Sequence, residues 1–182
     1  MSAAHILESL QSSGLAERIR NSLFLFPLIE SFHVVGLTLV FGTTFIMDLR
    51  LLGMASTRRP FTKVASDIVK WTWAAFALTA TTGFLMFMTN ATVYFHNPMF
   101  RLKMLALALS GINMLIFELT AGRKAHRWEN DRAAPLAGKL AGIFSLLLWI
   151  SVIFLGRWIG FTTTNSEAPD VDTKTIDDIF NK

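Results

Sequence analysis

The chain has 182 residues, of which 52% are hydrophobic and only 16% are charged, and its mean hydropathy is +0.46. A soluble domain carries about 25% charged residues, so this composition indicates a membrane protein, and the length indicates one domain. The sequence has no cysteine, which excludes disulfides, thiolate metal sites and c-type haem attachment. The formal net charge of +4 gives no reason to expect nucleic acid as a partner.

Residues 1–22 are polar overall, but their apolar side chains follow a helical pattern. Ile6, Leu7 and Leu10 share one face, and Leu15 and Ile19 follow after a Ser-Ser-Gly break. The segment lacks the 7–15-residue apolar core of a signal peptide. We therefore predict a short amphipathic helix at the membrane interface, with a frayed tail as the alternative.

Four long apolar stretches follow, and each has about 20 residues or more, enough to cross a hydrocarbon core of about 30 Å. Lipid does not tolerate unpaired backbone groups, and no barrel alternation is visible, so the spans must be helices. The sequence thus predicts an all-α, four-helix membrane bundle over residues 23–161 and a flexible acidic tail over 162–182. The predicted spans are 23–47, 71–93, 99–120 and 140–161.

The loop charges predict an orientation. The connections 49–70 and 121–139 hold five basic residues each, the turn 94–98 has no charge, and the tail has five acids against two lysines. By the positive-inside rule both basic loops are cytoplasmic. Both termini are then predicted to be periplasmic, in a bacterial inner membrane.

Two ionisable residues lie well inside the first span. Glu30 and His33 are three residues apart and share one face, with Gly36 a turn further along. His33 is predicted to lie about 15 Å deep by helix rise. Because ionisable residues within spans mark functional sites by default, we interpret His33 as a cofactor ligand, with Gly36 as the gap that lets a flat macrocycle approach the helix. The alternative is an interhelical hydrogen bond, with Gly36 there for close packing.

Further charges lie at the outer ends of the later spans. Arg101, Lys103 and Arg157 are predicted near the same membrane surface as Glu30. An ion pair of Glu30 with Arg157 or Lys103, which would hold the spans together, is therefore open as a structural interpretation.

At the inner end, Asp48, Arg50 and Glu118 have similar predicted depths. We interpret them as a structural charge cluster or as snorkelling helix ends. Asn113 lies in the middle of the third span and is predicted to form a helix–helix hydrogen bond.

Methionines suggest a second metal chemistry. Met86, Met88, Met99 and Met104 are predicted in the outer half of the bundle, at depths near that of His33. Thioethers suit Cu(I), so copper held by His33 with Met86, Met88 and Met104 is an alternative. Methionine is also a common gap-filler among packed helices.

Sequence motifs add a resemblance. The stretches PLIESFHVVGLTLVFGTTFIMDLRLLG, WTWAAFALTATTGFLMF, NPMFRLKMLALALSGINMLIFE and SLLLWISVIFLGRWIGF resemble a family of uncharacterised bacterial four-span inner-membrane proteins. The layout is more remotely similar to the membrane protoporphyrinogen oxidase and copper-resistance D-type families. In the oxidase family a first-span histidine and a lysine that opens a later span are associated with a b-type haem. The resemblance therefore implies haem contacts at His33 and Lys103.

The leading functional hypothesis is a b-type haem-binding membrane protein or subunit. His33 would be the axial ligand, Lys103 or His96 the group on the other side, and Arg101 and Arg157 the partners of the propionates. Electrons would pass between a periplasmic redox partner or larger membrane complex and quinone in the bilayer, with Glu30 as a proton carrier. If the protein is an enzyme, it is an oxidoreductase subunit. The alternatives are a copper-handling protein and a non-catalytic membrane anchor or assembly subunit.

Overall fold

The computed structural model describes residues 3–167, and the elements in that range are helices joined by short turns. A single 3-10 turn, Gly122–Lys124, precedes the seventh α-helix. The α-helices are α1 (Ala3–Gln11), α2 (Gly14–Asn21), α3 (Leu25–Leu52), α4 (Phe61–Thr89), α5 (Ala91–His96), α6 (Pro98–Leu119), α7 (Ala125–Trp128) and α8 (Leu136–Glu167).

Four of these helices, α3, α4, α6 and α8, are long and apolar enough to cross a membrane, which confirms the predicted number of spans. Their outer surfaces are apolar, as contact with lipid requires; Phe154, for example, is 68% exposed. The helices extend beyond the apolar stretches. Helix α4 begins at Phe61, ahead of the predicted span at 71–93, and α8 begins at Leu136, ahead of the predicted span at 140–161. The reason is that backbone hydrogen bonding continues into polar sequence after hydropathy has fallen.

The bundle is built from two antiparallel hairpins. Helix α3 packs on α4, α6 packs on α8, and contacts between α3 and α8 join the two pairs. We call the end that carries the short helix α5 the α5 end. The opposite end, which carries the Arg- and Lys-rich connections between α3 and α4 and between α6 and α8, is the basic end.

Arg50 holds the basic end together. Its side chain is fully buried, and its guanidinium donates to four backbone carbonyl oxygens. Nη1 donates to Arg132 O (3.3 Å), and Nη2 donates to Arg59 O (3.2 Å), Glu129 O (2.9 Å) and Asp131 O (3.1 Å). These carbonyls belong to both loops, so one side chain fixes one hairpin against the other.

An apolar cluster lies beside the four hydrogen bonds of Arg50, which we call the Arg50 clasp. The rings of Phe61 and Trp128 have centroids 4.7 Å apart, and the indole N–H of Trp128 donates to Ala121 O at 3.1 Å. Leu51 O accepts from Ala134 N at 3.0 Å. The basic end of the bundle is therefore both packed and hydrogen-bonded across the two hairpins.

The N-terminal segment forms two helices instead of the single one predicted. The helix is interrupted at Ser12 and Ser13. The Ser13 side chain accepts a hydrogen bond from Ala16 N at 3.4 Å and caps α2. Leu7, Ala16 and Ile19 are buried, and α1 and α2 contact α5 and α4. Placement of this segment at a membrane interface stays a prediction. The acidic tail, predicted from residue 162, is in part the end of α8, and residues 168–182 lie outside the described residues.

Candidate functional site

His33 lies on α3 with its ring against α4. Its Nδ1 is 3.0 Å from Thr79 O and 3.1 Å from Thr82 Oγ1. The Thr82 hydroxyl donates to Leu78 O at 2.7 Å, so its oxygen is available as an acceptor. Because a carbonyl oxygen can only accept, Nδ1 carries the proton and donates to both oxygens. The ring is thus oriented, and the lone pair lies on Nε2.

A glycine on α4 makes room for this ring. A Cβ at Gly83 would lie only 2.9 Å from His33 Cε1 and 3.3 Å from Nδ1. Sequence reasoning did not single out Thr79, Thr82 or Gly83. The available signal was the Thr-x-x-Thr-Gly pattern inside an apolar span, because threonines three residues apart share one helical face.

Gly36 serves the contact between α3 and α4. It is buried, and a Cβ there would lie 2.5 Å from Thr79 Oγ1. The space beside Gly36 is therefore filled by α4, so the predicted gap for a macrocycle at Gly36 is wrong and the close-packing interpretation holds.

Lys103 on α6 is close enough to this histidine to act on it electrostatically. It is half-buried on α6, its Nζ is 3.5 Å from the position that a Cβ of Gly156 would take, and it interacts electrostatically with the imidazole of His33. Within the described residues neither His33 Nε2 nor Lys103 Nζ has a hydrogen-bond or ion-pair partner. Two polar groups in the same part of the bundle are thus left for a ligand.

The other predicted haem contacts lie further out. His96 is exposed on α5, where its Nδ1 bonds Thr92 O at 2.8 Å, and no hydrogen bond among the described residues joins it to His33. Arg101 and Arg157 are exposed towards the α5 end, and the Arg157 guanidinium lies 5.3 Å from the ring centroid of Phe161. These side chains can meet a ligand only at the surface of the bundle.

The position of Glu30 differs from the one that the sequence predicted. Glu30 was expected to be a buried polar residue, but its side chain is exposed. The ion pairs among the described residues are Arg59–Asp67 and His126–Glu129, so Glu30 pairs with neither Arg157 nor Lys103. The reason is that His33 turns towards α4, and Glu30 lies about 60° away around the helix, where α4 does not cover it.

The methionines differ in their surroundings. Met88 is buried and Met86 half-buried on α4, whereas Met104 is 40% exposed on the lipid-facing side of α6. No group of three His, Asp or Glu side chains within the described part of the chain is arranged to hold a metal ion. A copper site would therefore depend on thioethers, and Met104 faces away from the packed side of its helix.

The predicted charge cluster at the basic end does not form. Arg50 binds backbone carbonyls, Glu118 is exposed, and Asp48 is buried with its carboxyl facing the hydroxyl of Ser145. Among residues 3–167, Asp48 Oδ2 has no hydrogen-bond partner. Residues 48 and 50 point to different sides of α3, which explains why these two opposite charges do not meet.

Asn113 makes the predicted interhelical contact. Its Nδ2 donates to the backbone oxygen of Ala141 on α8 at 2.9 Å. This bond ties α6 to α8 in the half of the second hairpin nearer the basic end.

Comparisons with known proteins give one match. No curated protein and no solved structure matches the chain. The similarity to the protoporphyrinogen oxidase and copper-resistance D-type families stays a prediction. One family profile matches residues 24–162, a range that includes all four long helices apart from the last residues of α8, together with His33 and Lys103. The chain therefore belongs to DUF6644, a family of unknown function.

Proposed function

We propose that this protein binds a b-type haem between its helices and transfers electrons, with Nε2 of His33 as the axial ligand. The hydrogen bonding of the His33 ring, which fixes its tautomer, is the observation that supports the proposal. Metal-binding histidines almost always donate their second ring N–H to a carbonyl or carboxylate, which fixes the tautomer and aims the other nitrogen at the metal. His33 does this through Thr79 O and Thr82 Oγ1, and its Nε2 has no partner among the described residues.

The surroundings of His33 suit the rest of a haem. Lys103 offers an amine that can ligate from the other side or, when protonated, bind a propionate. Arg101 and Arg157 lie towards the same end of the bundle and can pair with propionates at the surface. When bound, haem supplies a one-electron redox centre whose potential depends on the axial ligands and on burial.

The predicted membrane orientation suggests where the haem and its redox partners would lie. With the termini periplasmic in a bacterial inner membrane and with α1 and α2 on the interface, the His33 region would lie in the outer half of the bilayer. Electrons would pass between a periplasmic redox partner, docked on the acidic C-terminal segment, and the quinone pool. A larger membrane complex could take the place of the soluble partner.

The test is the absorption spectrum of protein purified in detergent from haem-replete cells, recorded oxidised and after dithionite. We expect a sharp Soret band with resolved α and β bands in the reduced state. His33→Ala should remove these bands, while the matched control His126→Ala, an exposed histidine at the basic end, should keep them. Lys103→Met should move the bands or the midpoint potential if Lys103 is a ligand, and His96→Ala tests His96 in the same way.

A spectrum without haem bands from folded wild-type protein would overturn the proposal. Copper in elemental analysis of that protein, lost in His33→Ala, would then favour the copper-handling alternative. Protein with neither cofactor that co-purifies with a soluble enzyme would favour the anchor or assembly subunit.

A further inference from the structure

Helices α3 and α8 run side by side and are in close contact at the basic end. A Cβ built on Gly142 would lie 3.3 Å from Asp48 O and 3.4 Å from Leu51 Cβ. Asp48, Leu51 and Gly142 are all buried. At this level the two helices leave no room for anything between them.

The same two faces are open at the α5 end. Eighteen residues make about five full helical turns, so Glu30 lies on the same face of α3 as Asp48, and Gly160 lies on the same face of α8 as Gly142. Glu30 is exposed, a Cβ on Gly160 would meet nothing within 4 Å, and Ile153, between Gly142 and Gly160 on that face, is 36% exposed. The faces that meet at the basic end are therefore uncovered towards the α5 end, and we call the surface between Glu30 and Gly160 the α3–α8 cleft.

Polar groups of both signs line this cleft. Glu30 stands on the α3 wall, and Arg157, about 60° around α8 from the Gly142 face, stands on the other. Deeper in, Lys103 reaches across from α6 beside Gly156 and interacts with the imidazole of His33. Glu30 forms no ion pair with either cation within the described residues.

This lining selects a chemical class of ligand. Ionisable side chains within a membrane-spanning segment are costly unless something pairs with them. The opening lies between two lipid-facing helices, so the ligand is lipid-soluble. It must also both donate a hydrogen bond, to the Glu30 carboxylate, and accept one, from Arg157 or Lys103. An ionised fatty acid meets only the second requirement, because its carboxylate has no proton to donate and Glu30 would repel it.

We infer that the α3–α8 cleft binds an isoprenoid quinol from the bilayer. One hydroxyl of the quinol donates to Glu30, and the oxygen of the other hydroxyl accepts from Arg157 or Lys103. This inference rests on the proposed function in that it gives the quinone of that electron transfer its binding place, one helical turn from His33. The binding itself requires no haem.

The test is calorimetric titration of the protein in lipid nanodiscs with a short-chain quinol kept reduced. Gly160→Leu fills the open end, and Glu30→Gln removes the acceptor charge while it keeps the side-chain size. Both should weaken binding tenfold or more. Gly42→Leu is the matched control, because a Cβ on Gly42 also meets nothing within 4 Å but points about 120° away from the Asp48 face of α3. Circular dichroism melts of each variant check that the fold is kept.

Wild-type protein that is folded and binds no quinol would overturn the inference. So would binding that Gly160→Leu and Glu30→Gln leave unchanged, or oleate that binds as tightly as the quinol. Haem-free protein that binds quinol would support the cleft and contradict the haem proposal. Haem-loaded protein that binds no quinol would contradict the cleft alone.

Discussion

Replacing Arg50 with methionine tests whether one buried guanidinium holds the two hairpins together. Methionine fills much of the same volume, so the change removes the donors without leaving a large cavity. It breaks four hydrogen bonds to backbone carbonyls, at 2.9 to 3.3 Å. Those carbonyls lie in the loops 53–60 and 129–135, which have no other side-chain link of this kind to α3 among the described residues.

The expected loss in the free energy of unfolding is the balance of lost hydrogen bonds and recovered desolvation. Hydrogen bonds that involve a charged group contribute about 1.5–3 kcal/mol each, but four bonds to one group are not additive. Removing the buried charge also recovers desolvation free energy, and Arg50 Nε already lacks a hydrogen-bond partner in the part of the chain that the structure describes. Loop carbonyls can regain hydrogen bonds from water. We therefore expect Arg50→Met to lower the free energy of unfolding by about 3 kcal/mol, equivalent to one or two of the bonds.

Unfolding in detergent can be followed by tryptophan fluorescence, because Trp128 is 6% exposed and lies beside the clasp. Arg58→Met is the matched control, since Arg58 is an exposed arginine at the same end of the bundle. Arg50→Lys should fall between wild type and Arg50→Met, because an ammonium group cannot reach all four carbonyls. If Arg50→Met were as stable as Arg58→Met, the clasp would not hold the hairpins together and the reasoning would fail.

Two further predictions concern the hairpins themselves. Gly83→Val should push the His33 ring off Thr79 O, because even a Cβ at Gly83 would lie 2.9 Å from His33 Cε1. This overpacking should lower the free energy of unfolding by about 1–3 kcal/mol. The imidazole NMR signals of His33 should shift, and unchanged signals would contradict the contact. Asn113→Leu should lower stability by about 0.6–1.7 kcal/mol through loss of the bond to Ala141 O. A thermal melt measures the second effect, and an unchanged melting temperature would show that this bond contributes nothing.

The sequence determined the class of fold. Apolar stretches of span length leave only helices as an option in lipid, so four spans could be predicted from hydropathy alone. Asn113 was also predictable, because an amide in the middle of a span must find a partner on another helix and did so on Ala141. The polar face of the first span likewise marked His33 as a residue that needs a partner on another helix, and its Nδ1 has one in Thr79 O.

The tertiary structure decided what those polar residues contact. Hydropathy and helical periodicity place a residue at a depth and on a face, but they do not say which neighbour covers that face. Glu30 and His33 share a side of α3 in sequence terms, yet α4 covers only His33, and Gly83 on α4 makes the room for its ring. Arg50 binds loop carbonyls instead of Asp48 because loop paths, which no periodicity encodes, bring those oxygens to it. The coverage of one face of α3 and α8 at Asp48 and Gly142, and its exposure at Glu30 and Gly160, likewise arise from the packing of whole helices and are invisible in either helix alone.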